Sequence, residues 1–124
     1  SSPFFSGPDI SPELVNYDGR YPYLSDKQKK YRKRTVMVKS LPCNIWGLYE
    51  MHGNIREWCQ DYWQSDLGAE PAVDPQGPEK GIYRSVRGGS WASDACFVRS
   101  ASRDRFPPHY CFGSTGIRLA IDAI

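Results

Sequence analysis

The sequence predicts an α+β domain that is irregular and rich in loops, with a few short strands and one or two helices. Three observations support this fold class. The 124 residues include 10 prolines and 11 glycines, which favour turns and interrupt regular elements. Apolar residues cluster or alternate over only a few positions at a time, which is typical of short strands. Only residues 54–63 have the apolar spacing of a sustained helix.

The predicted helix begins at Asn54, a candidate N-cap that is followed three residues later by Glu57 in the spacing of a capping box. The apolar side chains that would share one helical face are Ile55, Trp58, Cys59 and Tyr62. This helix would end near Trp63, before a loop rich in proline, glycine and aspartate.

Three short strands are predicted, at residues 35–38, 83–88 and 116–121. The N-terminal stretch has no sustained period, and we expect a loop there with one helical turn near residues 12–15. The core is predicted around residues 44–61, where large apolar side chains alternate with turn residues. The expected core anchors are Trp46, Leu48, Met51, Ile55 and Trp58.

Charge and hydropathy argue against two classes of partner. The formal net charge of +2 is too nearly balanced to indicate a nucleic-acid-binding protein. No apolar run approaches the roughly 18 residues of a membrane-spanning helix. A cytoplasmic protein and a secreted or cell-surface protein are both compatible with these properties.

The four cysteines do not have the spacing of a zinc site or of a redox pair. They are Cys43, Cys59, Cys96 and Cys111. We expect free thiols, and the alternative of one disulfide stays open if the protein is exported.

Five ordered motifs carry a family resemblance: GLYEMHGNIREWCQDYW, DPQGPEKG, RSVRGGSW, RSASR and GIRLA. In this order and spacing, the chain resembles the formylglycine-generating-enzyme, or sulfatase-modifying-factor, superfamily. The resemblance implies a C-type-lectin-like fold in which residues 1–124 form a single domain. It also implies that the part of the usual family domain preceding these motifs is not represented in this sequence.

The resemblance to the catalytic members is incomplete. Those enzymes oxidise a cysteine to formylglycine and hold copper with two thiolates, five residues apart, shortly after the glycine-glycine-serine-aromatic motif. The corresponding segment here, residues 91–99, contains Cys96 alone, and Cys111 follows fifteen residues later. We therefore assign no catalytic residue and expect no copper, while an enzyme of this family stays open as the alternative function.

The same resemblance implies a calcium loop within residues 50–57. Glu50 and Glu57 would supply carboxylates, and Gly53 and Ile55 would supply backbone carbonyl oxygens, which are the hard ligands that Ca²⁺ prefers. The alternative is that Glu57 caps the predicted helix while Glu50 is solvated.

The C-terminal segment has an unusual composition. Residues 92–124 contain no Lys, Glu, Gln, Met or Trp, whereas the first 91 residues contain twenty-one of them. None of these five types can be encoded by an asparagine codon, AAY, in which only the adenines have changed. Every residue at the positions that look variable can be encoded in that way: Ser93, Asp94, Ala95, Cys96, Phe97, Asp104, Arg105, Phe106, His109, Tyr110, Cys111, Phe112 and Ser114.

This pattern resembles that of the variable proteins of diversity-generating retroelements. The genes of those proteins are mutated at adenines, and the proteins have the same C-type-lectin-like fold. The resemblance implies a non-catalytic protein that binds a protein or other macromolecular ligand through residues 92–115. The predicted ligand-binding residues are Ser93, Asp94, Cys96, Phe97, Asp104, Arg105, Phe106, His109, Tyr110, Cys111, Phe112 and Ser114. The alternative is an ordinary loop, with some of these aromatic residues, Phe97 first, buried in the core.

The arginines that lie outside the variable set are expected to be structural. Their guanidinium groups would need carboxylate or carbonyl partners wherever they are buried. They are Arg87, Arg99, Arg103 and Arg118.

Overall fold

A small four-stranded sheet lies at the centre of the chain in the computed structural model, which describes residues 1–121. The strands are β1 (Arg56–Tyr62), β2 (Arg84–Arg87), β3 (Arg103–Phe106) and β4 (Thr115–Gly116). Their order across the sheet is β3-β2-β1-β4. β2 is antiparallel to both β1 and β3, whereas β4 is parallel to β1.

Irregular chain and turns make up most of the remaining described residues. A 3-10 turn at Ala95–Phe97 is the only helical element of residues 1–121. The prediction of a loop-rich fold with short strands is therefore confirmed. No helix in the described part of the chain is long and apolar enough to cross a membrane.

The predicted helix over residues 54–63 is wrong, because these residues form strand β1. Asn54 cannot act as an N-cap: its backbone is left-handed, with φ 63°, and its side-chain oxygen accepts bonds from the Asn16 amide and the Val36 N–H. Trp58 instead pairs with Val86 across the antiparallel ladder. The apolar residues have the spacing of a helical face by coincidence, because the residues of this segment alternate between the two faces of a strand.

The strand predictions succeed in part. Residues 83–88 contain β2, as predicted, with slightly narrower bounds. The prediction over residues 116–121 overlaps β4 at Gly116 alone. Residues 35–38 form no strand, because the N–H of Val36 is bonded to a side chain and a turn closes between Met37 and Ser40. The predicted turn near residues 12–15 is present, since Leu14 N and Val15 N both donate to Ser11 O.

The core lies elsewhere than the sequence predicted. Trp46, Leu48 and Met51 are exposed by 77%, 44% and 37%, so their assignment as core anchors is wrong. The buried cluster is supplied instead by the N-terminal segment together with the 3-10 turn. Its members are Phe4, Ile10, Val15, Tyr17, Ala95 and Val98. Proline and serine interrupt the N-terminal segment, so its apolar residues follow no regular period. Its burial therefore could not be predicted from periodicity.

A pair of buried asparagines joins the N-terminal segment to the start of β1. Asn16 Nδ2 donates to Asn54 Oδ1 at 3.0 Å, and Asn54 N donates to Asn16 O at 2.8 Å. Gly53 precedes this contact with φ +71°, and a Cβ atom there would collide with the Asn16 carbonyl. Glycine is thus required on both conformational and steric grounds.

His52 is a buried titratable group that packs against the core. Its Nε2 accepts a hydrogen bond from Phe5 N at 3.2 Å, so Nδ1 must carry the proton that is shared with Val98 O at 2.6 Å. The ring also stacks on Phe5, with 5.7 Å between ring centroids. Burial lowers the pKa of His52 because desolvation disfavours the imidazolium.

We expect His52 to make folding sensitive to mild acid. Its pKa is lower in the folded chain than in the unfolded chain, so between the ordinary value of about 6.5 and the folded value the unfolded state binds more protons. Stability should be fully present above that ordinary value and fall as the pH decreases below it. Thermal unfolding at pH values between 5 and 7.5 measures this slope.

The chain contains a matched control, since His109 is the other histidine and is exposed. The His109→Gln variant should keep the pH dependence of the wild type, whereas His52→Gln should have a shallower slope. Equal slopes in the two variants would contradict the assignment.

Candidate ligand-binding surface

The twelve residues predicted to contact a ligand lie on strand β3 and on the loops around it. Eight of them are exposed: Cys96, Phe97, Asp104, Arg105, His109, Tyr110, Cys111 and Phe112. Asp94, Phe106 and Ser114 are half-buried, and Ser93 is buried. Most of the set is therefore accessible to a partner.

Four of these residues line one cavity of about 380 Å³. They are Ser93, Asp94, Phe97 and Asp104. The rest of its wall comes from residues outside the predicted variable set, among them Arg56, Val86, Gly88 and Gly89. The cavity thus combines residues from inside and from outside the predicted variable set.

An aromatic cluster lies beside this cavity. The rings of Tyr110 and Phe112 meet edge to face at 4.3 Å between centroids, and Phe106 lies 5.8 Å and 5.3 Å from them. Trp58 on β1 contacts the inner side of the cluster through Phe106, at 6.2 Å. Aromatic groups held in this way offer large contact areas at low entropic cost.

Arg56 connects the aromatic cluster to the cavity. Its guanidinium lies 5.3 Å from the centre of the Phe106 ring, and Nη1 lies 3.7 Å from Asp104 Oδ2. Its backbone N–H donates to Ser114 O at 3.0 Å. The sequence did not identify Arg56, because the helix prediction concealed which neighbours it would face. The two-residue alternation of a strand would have placed it on the face of Trp58.

Arg105 lies apart from this surface. It pairs with Ser85 on β2, whereas Asp104 pairs with Val86, and neighbouring residues of a strand point to opposite faces. Its guanidinium lies over the rings of Trp63 and Tyr83, at 5.1 Å and 5.5 Å. The predicted set is therefore divided between the two faces of the sheet.

The arginines predicted to be structural hold the backbone of this region. Arg87 donates to Ser102 O at 2.9 Å and Ser100 O at 3.1 Å, and Arg99 donates to Cys96 O at 2.7 Å. The two remaining arginines also donate hydrogen bonds: Arg103 to the Gln64 carbonyl, and Arg118 to the Glu57 carboxylate and the Tyr49 carbonyl. The structural role predicted for these arginines is confirmed.

The 3-10 turn is held close to the strand that precedes it. Gly89 has φ +65°, and a Cβ there would lie 2.6 Å from a methyl group of Val98. Ala95 and Val98 point into the core, which leaves Phe97 on the outside with 59% of its surface exposed. The alternative in which Phe97 is a core residue is therefore wrong.

Ser93 differs from the other predicted contact residues. It is 7% exposed, and its hydroxyl accepts a bond from Ser90 N at 3.0 Å. A larger side chain at this position would displace the loop that forms the cavity wall. Ser93 therefore maintains the loop, although it also lines the cavity.

All four cysteines are free thiols. Cys96 and Cys111 are exposed, and Cys43 and Cys59 are half-buried. Burial raises the pKa of Cys59, which favours the protonated thiol. Among residues 1–121, no group of three or more histidine, cysteine, aspartate or glutamate side chains is arranged to hold a metal ion.

Three of the four predicted calcium ligands, Glu50, Ile55 and Glu57, line a separate cavity on the far side of β1, whereas Gly53 does not. Both carboxylate oxygens of Glu57 accept bonds from Arg118 Nε, at 2.9 Å and 3.0 Å. Glu50 Oε2 accepts from Lys39 N at 3.1 Å, and its Oε1 is buried without a partner. The hydrogen bond from Arg118 to Glu57 is also the main reason that the pKa of Arg118 is raised.

This donor set does not fit Ca²⁺ well. The ion prefers six to eight oxygen ligands, whereas the Glu57 carboxylate is occupied by a guanidinium and Glu50 offers one free oxygen. The alternative of a helix cap is wrong for Glu57, because the residue lies in a strand and pairs with Arg118. The predicted calcium site is untested, and competition between Ca²⁺ and Arg118 for Glu57 can decide it.

We expect millimolar CaCl₂ to leave the melting temperature of the chain unchanged, because the ion would have to displace Arg118 from Glu57. A ligand that binds only the folded state raises the melting temperature, so differential scanning fluorimetry can detect binding. A rise of several degrees that disappears in the Glu50→Gln, Glu57→Gln double variant would instead establish a calcium site. The Arg118→Lys variant, which keeps the charge, is the control.

Comparison with known proteins identifies relatives for this arrangement. The model of the family described as sulfatase-modifying factor enzyme 1-like domain matches residues 6–123. The serine/threonine-protein kinase pkn1 of Chlamydia pneumoniae is 39% identical over 82% of this chain and 17% of the kinase. The formylglycine-generating enzyme of Streptomyces coelicolor is 36% identical over 86% of this chain and 35% of the enzyme. The chain thus spans a minor part of the length of each relative.

Two solved structures are similar in fold. Treponema denticola variable protein 1 superimposes with a TM-score of 0.71 at 29% identity, covering 85% of this chain and 34% of that protein. PvdO from Pseudomonas aeruginosa gives a TM-score of 0.68 at 30% identity, covering 85% of this chain and 38% of PvdO. These similarities confirm the family resemblance and the fold that were predicted from the motifs.

Proposed function

The chain belongs to the sulfatase-modifying factor enzyme 1-like domain family, and from this premise we propose that it is a non-catalytic ligand-binding domain. Its contact surface is formed by residues 92–115, which carry the predicted variable positions. One observation carries the proposal: the aromatic cluster consists of those positions, four more of them line the neighbouring cavity, and Arg56 joins cluster and cavity into one surface.

In this region, different residues hold the backbone and face the solvent. This arrangement suits a surface whose side chains must change without unfolding the domain. The backbone is fixed by side chains outside the variable set, through the carbonyl contacts of Arg87, Arg99 and Arg103. The exposed variable side chains are not needed for those contacts. A rigid scaffold that presents replaceable groups is the usual arrangement of binding loops.

Diversification by a retroelement accounts for the composition of the segment. At the predicted variable positions, the absence of Lys, Glu, Gln, Met and Trp is the limit that mutation of AAY codons imposes. The similarity to Treponema denticola variable protein 1 supports this proposal, since that chain has the same fold.

The ligand is a protein or another macromolecule. The aromatic cluster is open at the surface, with Tyr110 exposed by 44% and Phe112 by 42%. Exposed aromatic groups beside charged residues are typical of protein interfaces, where tyrosine, tryptophan and arginine supply much of the binding energy.

An enzyme is the second candidate function, favoured by the 36% identity to the Streptomyces coelicolor formylglycine-generating enzyme. Cysteine oxidation of that type needs two thiolates that hold copper, and thiolates are the soft ligands that Cu(I) prefers. The segment after Trp91 supplies Cys96 alone, and both Cys96 and Cys111 are exposed free thiols. A surface for binding therefore explains more of the residues than a copper site does.

We expect truncations on the proposed surface to spare the fold. Tyr110→Ala and Phe112→Ala should change the free energy of unfolding by only about 0.5 kcal/mol, as exposed positions usually do. Tyr17 is the matched buried control, at 0% exposure, and its change to alanine should cost roughly 3–5 kcal/mol by leaving a cavity. Urea unfolding of the three variants measures the difference. Losses at Tyr110 or Phe112 as large as that at Tyr17 would place these residues in the core.

We also expect the chain to lack formylglycine-generating activity. A sulfatase-type peptide incubated with the copper(I)-treated protein should retain its cysteine, as judged by mass spectrometry. Stoichiometric copper binding that is lost in both Cys96→Ser and Cys111→Ser, together with oxidation of the peptide, would favour the enzyme instead.

A further inference from the structure

Arg56 occupies an unusual position for an arginine. It is the first residue of β1, it lines the 380 Å³ cavity, and 20% of its side chain is exposed. It lies outside the predicted variable set. Whatever the neighbouring variable positions become, this guanidinium remains at the wall of the cavity.

The donors of Arg56 are poorly satisfied. Nε is buried without a hydrogen-bond partner, and Nη2 lies 3.4 Å and 3.5 Å from the hydroxyls of Ser93 and Ser90. Nη1 approaches Asp104 Oδ2 only to 3.7 Å. These separations lie beyond the 2.7–3.2 Å of a good N–H···O bond.

Arg118 is an arginine of the same molecule whose guanidinium donors have good hydrogen-bond partners. Its Nε and Nη2 bind the Glu57 carboxylate as a fork, with distances from 2.7 to 3.0 Å. Arg56 has no such partner among the described residues. A partly desolvated guanidinium gains most from a charged acceptor that can engage two of its donors.

Asp104 is a weak internal partner. Its side chain is 63% exposed, and Oδ1 already accepts a bond from Arg105 N at 2.8 Å. It is also one of the predicted variable positions, so the pairing with Arg56 is not fixed. Exposed pairs of this type contribute little to stability.

We propose that Arg56 is a constant receptor for a carboxylate group of the ligand. The inference rests on the proposed function and specifies the ligand class: a protein that inserts an aspartate or glutamate side chain, or its C-terminus, into the cavity. Asp104 partly occupies this receptor from within the chain and competes with the ligand. The Phe106 ring, whose centre lies 5.3 Å from the guanidinium, packs beside it.

A carboxylate suits this receptor better than a neutral group. It can accept from Nη1 and Nη2 together, which now lie 3.4–3.7 Å from their partners. A neutral amide of the same size offers one acceptor without charge. Because the site is partly shielded from water, the electrostatic gain is larger than on an open surface.

The test is an NMR titration of the arginine Nε–H resonances of the ¹⁵N-labelled chain. Sodium acetate replaces sodium chloride at constant ionic strength, with acetamide as the neutral probe of matched size and inorganic phosphate as a second anion. Acetate should shift the Arg56 resonance in a saturable manner, and acetamide should not. The Arg118 resonance is the internal control and should remain unchanged, because that guanidinium is already paired.

The Asp104→Asn variant should lower the acetate dissociation constant by roughly two- to fivefold, as expected when a weakly paired exposed carboxylate stops competing. Asp94→Asn, which changes another cavity carboxylate without a contact to Arg56, should alter it less. Equal responses to acetate and acetamide, no response at Arg56, or an unchanged constant in Asp104→Asn would overturn the proposal. Binding of phosphate more tightly than acetate would overturn the assignment to a carboxylate.

The proposal and the proposed function can fail separately. A protein ligand selected against this chain whose affinity is lost in Tyr110→Ala but unchanged in Arg56→Lys would refute the receptor and leave the binding surface intact. A saturable acetate site at Arg56, with selected ligands that bind away from residues 92–115, would refute the proposed function alone.

Discussion

The structure depends on the buried contact between Asn16 and Asn54. Asn54 joins the irregular segments around residues 16, 36 and 91, which no long strand or helix connects. Asn54 Oδ1 accepts from Asn16 Nδ2 and from Val36 N, and Asn54 O accepts from Trp91 N. Buried amides are costly unless bonded, so the bonds of the Asn16 amide nitrogen and the Asn54 side chain specify one mutual placement of their neighbours, while Asn16 Oδ1 is buried without a partner. The left-handed backbone of Asn54, tolerated by asparagine, directs the chain into β1.

That placement separates the residues that define the fold from the residues that face solvent. The N-terminal segment and the 3-10 turn fill the core, so the C-terminal loops need few buried side chains of their own. Arginine-to-carbonyl bonds fix their backbone, as Arg87 does for residues 100–102. The side chains between those anchors can then change while the loop path is kept. A fold with little regular structure can in this way support a variable surface.

Sequence reasoning succeeded where the signal was local or carried by motifs, and failed where burial depended on distant contacts. The motifs identified the family, and the spacing around Val86 identified β2. The helix over residues 54–63 failed because helical and strand periods coincide over so short a segment, and the side chain of Asn54 is bonded to distant residues. Residue composition marked a set of positions that are mostly exposed, but it could not reveal that Ser93 is buried or that Arg56 lines the cavity.

The exposed and half-buried positions predicted to be variable in residues 94–114 should be able to change freely on a fixed backbone. The most direct measurement is a display library in which Asp94, Cys96, Phe97, Asp104, Arg105, Phe106, His109, Tyr110, Cys111, Phe112 and Ser114 are randomised together with NNY codons, and resistance to protease is scored. The account predicts that most members remain as resistant as the parent chain, while a library that randomises buried Tyr17, Val86 and Val98 does not. Loss of resistance in most members of the first library would contradict it.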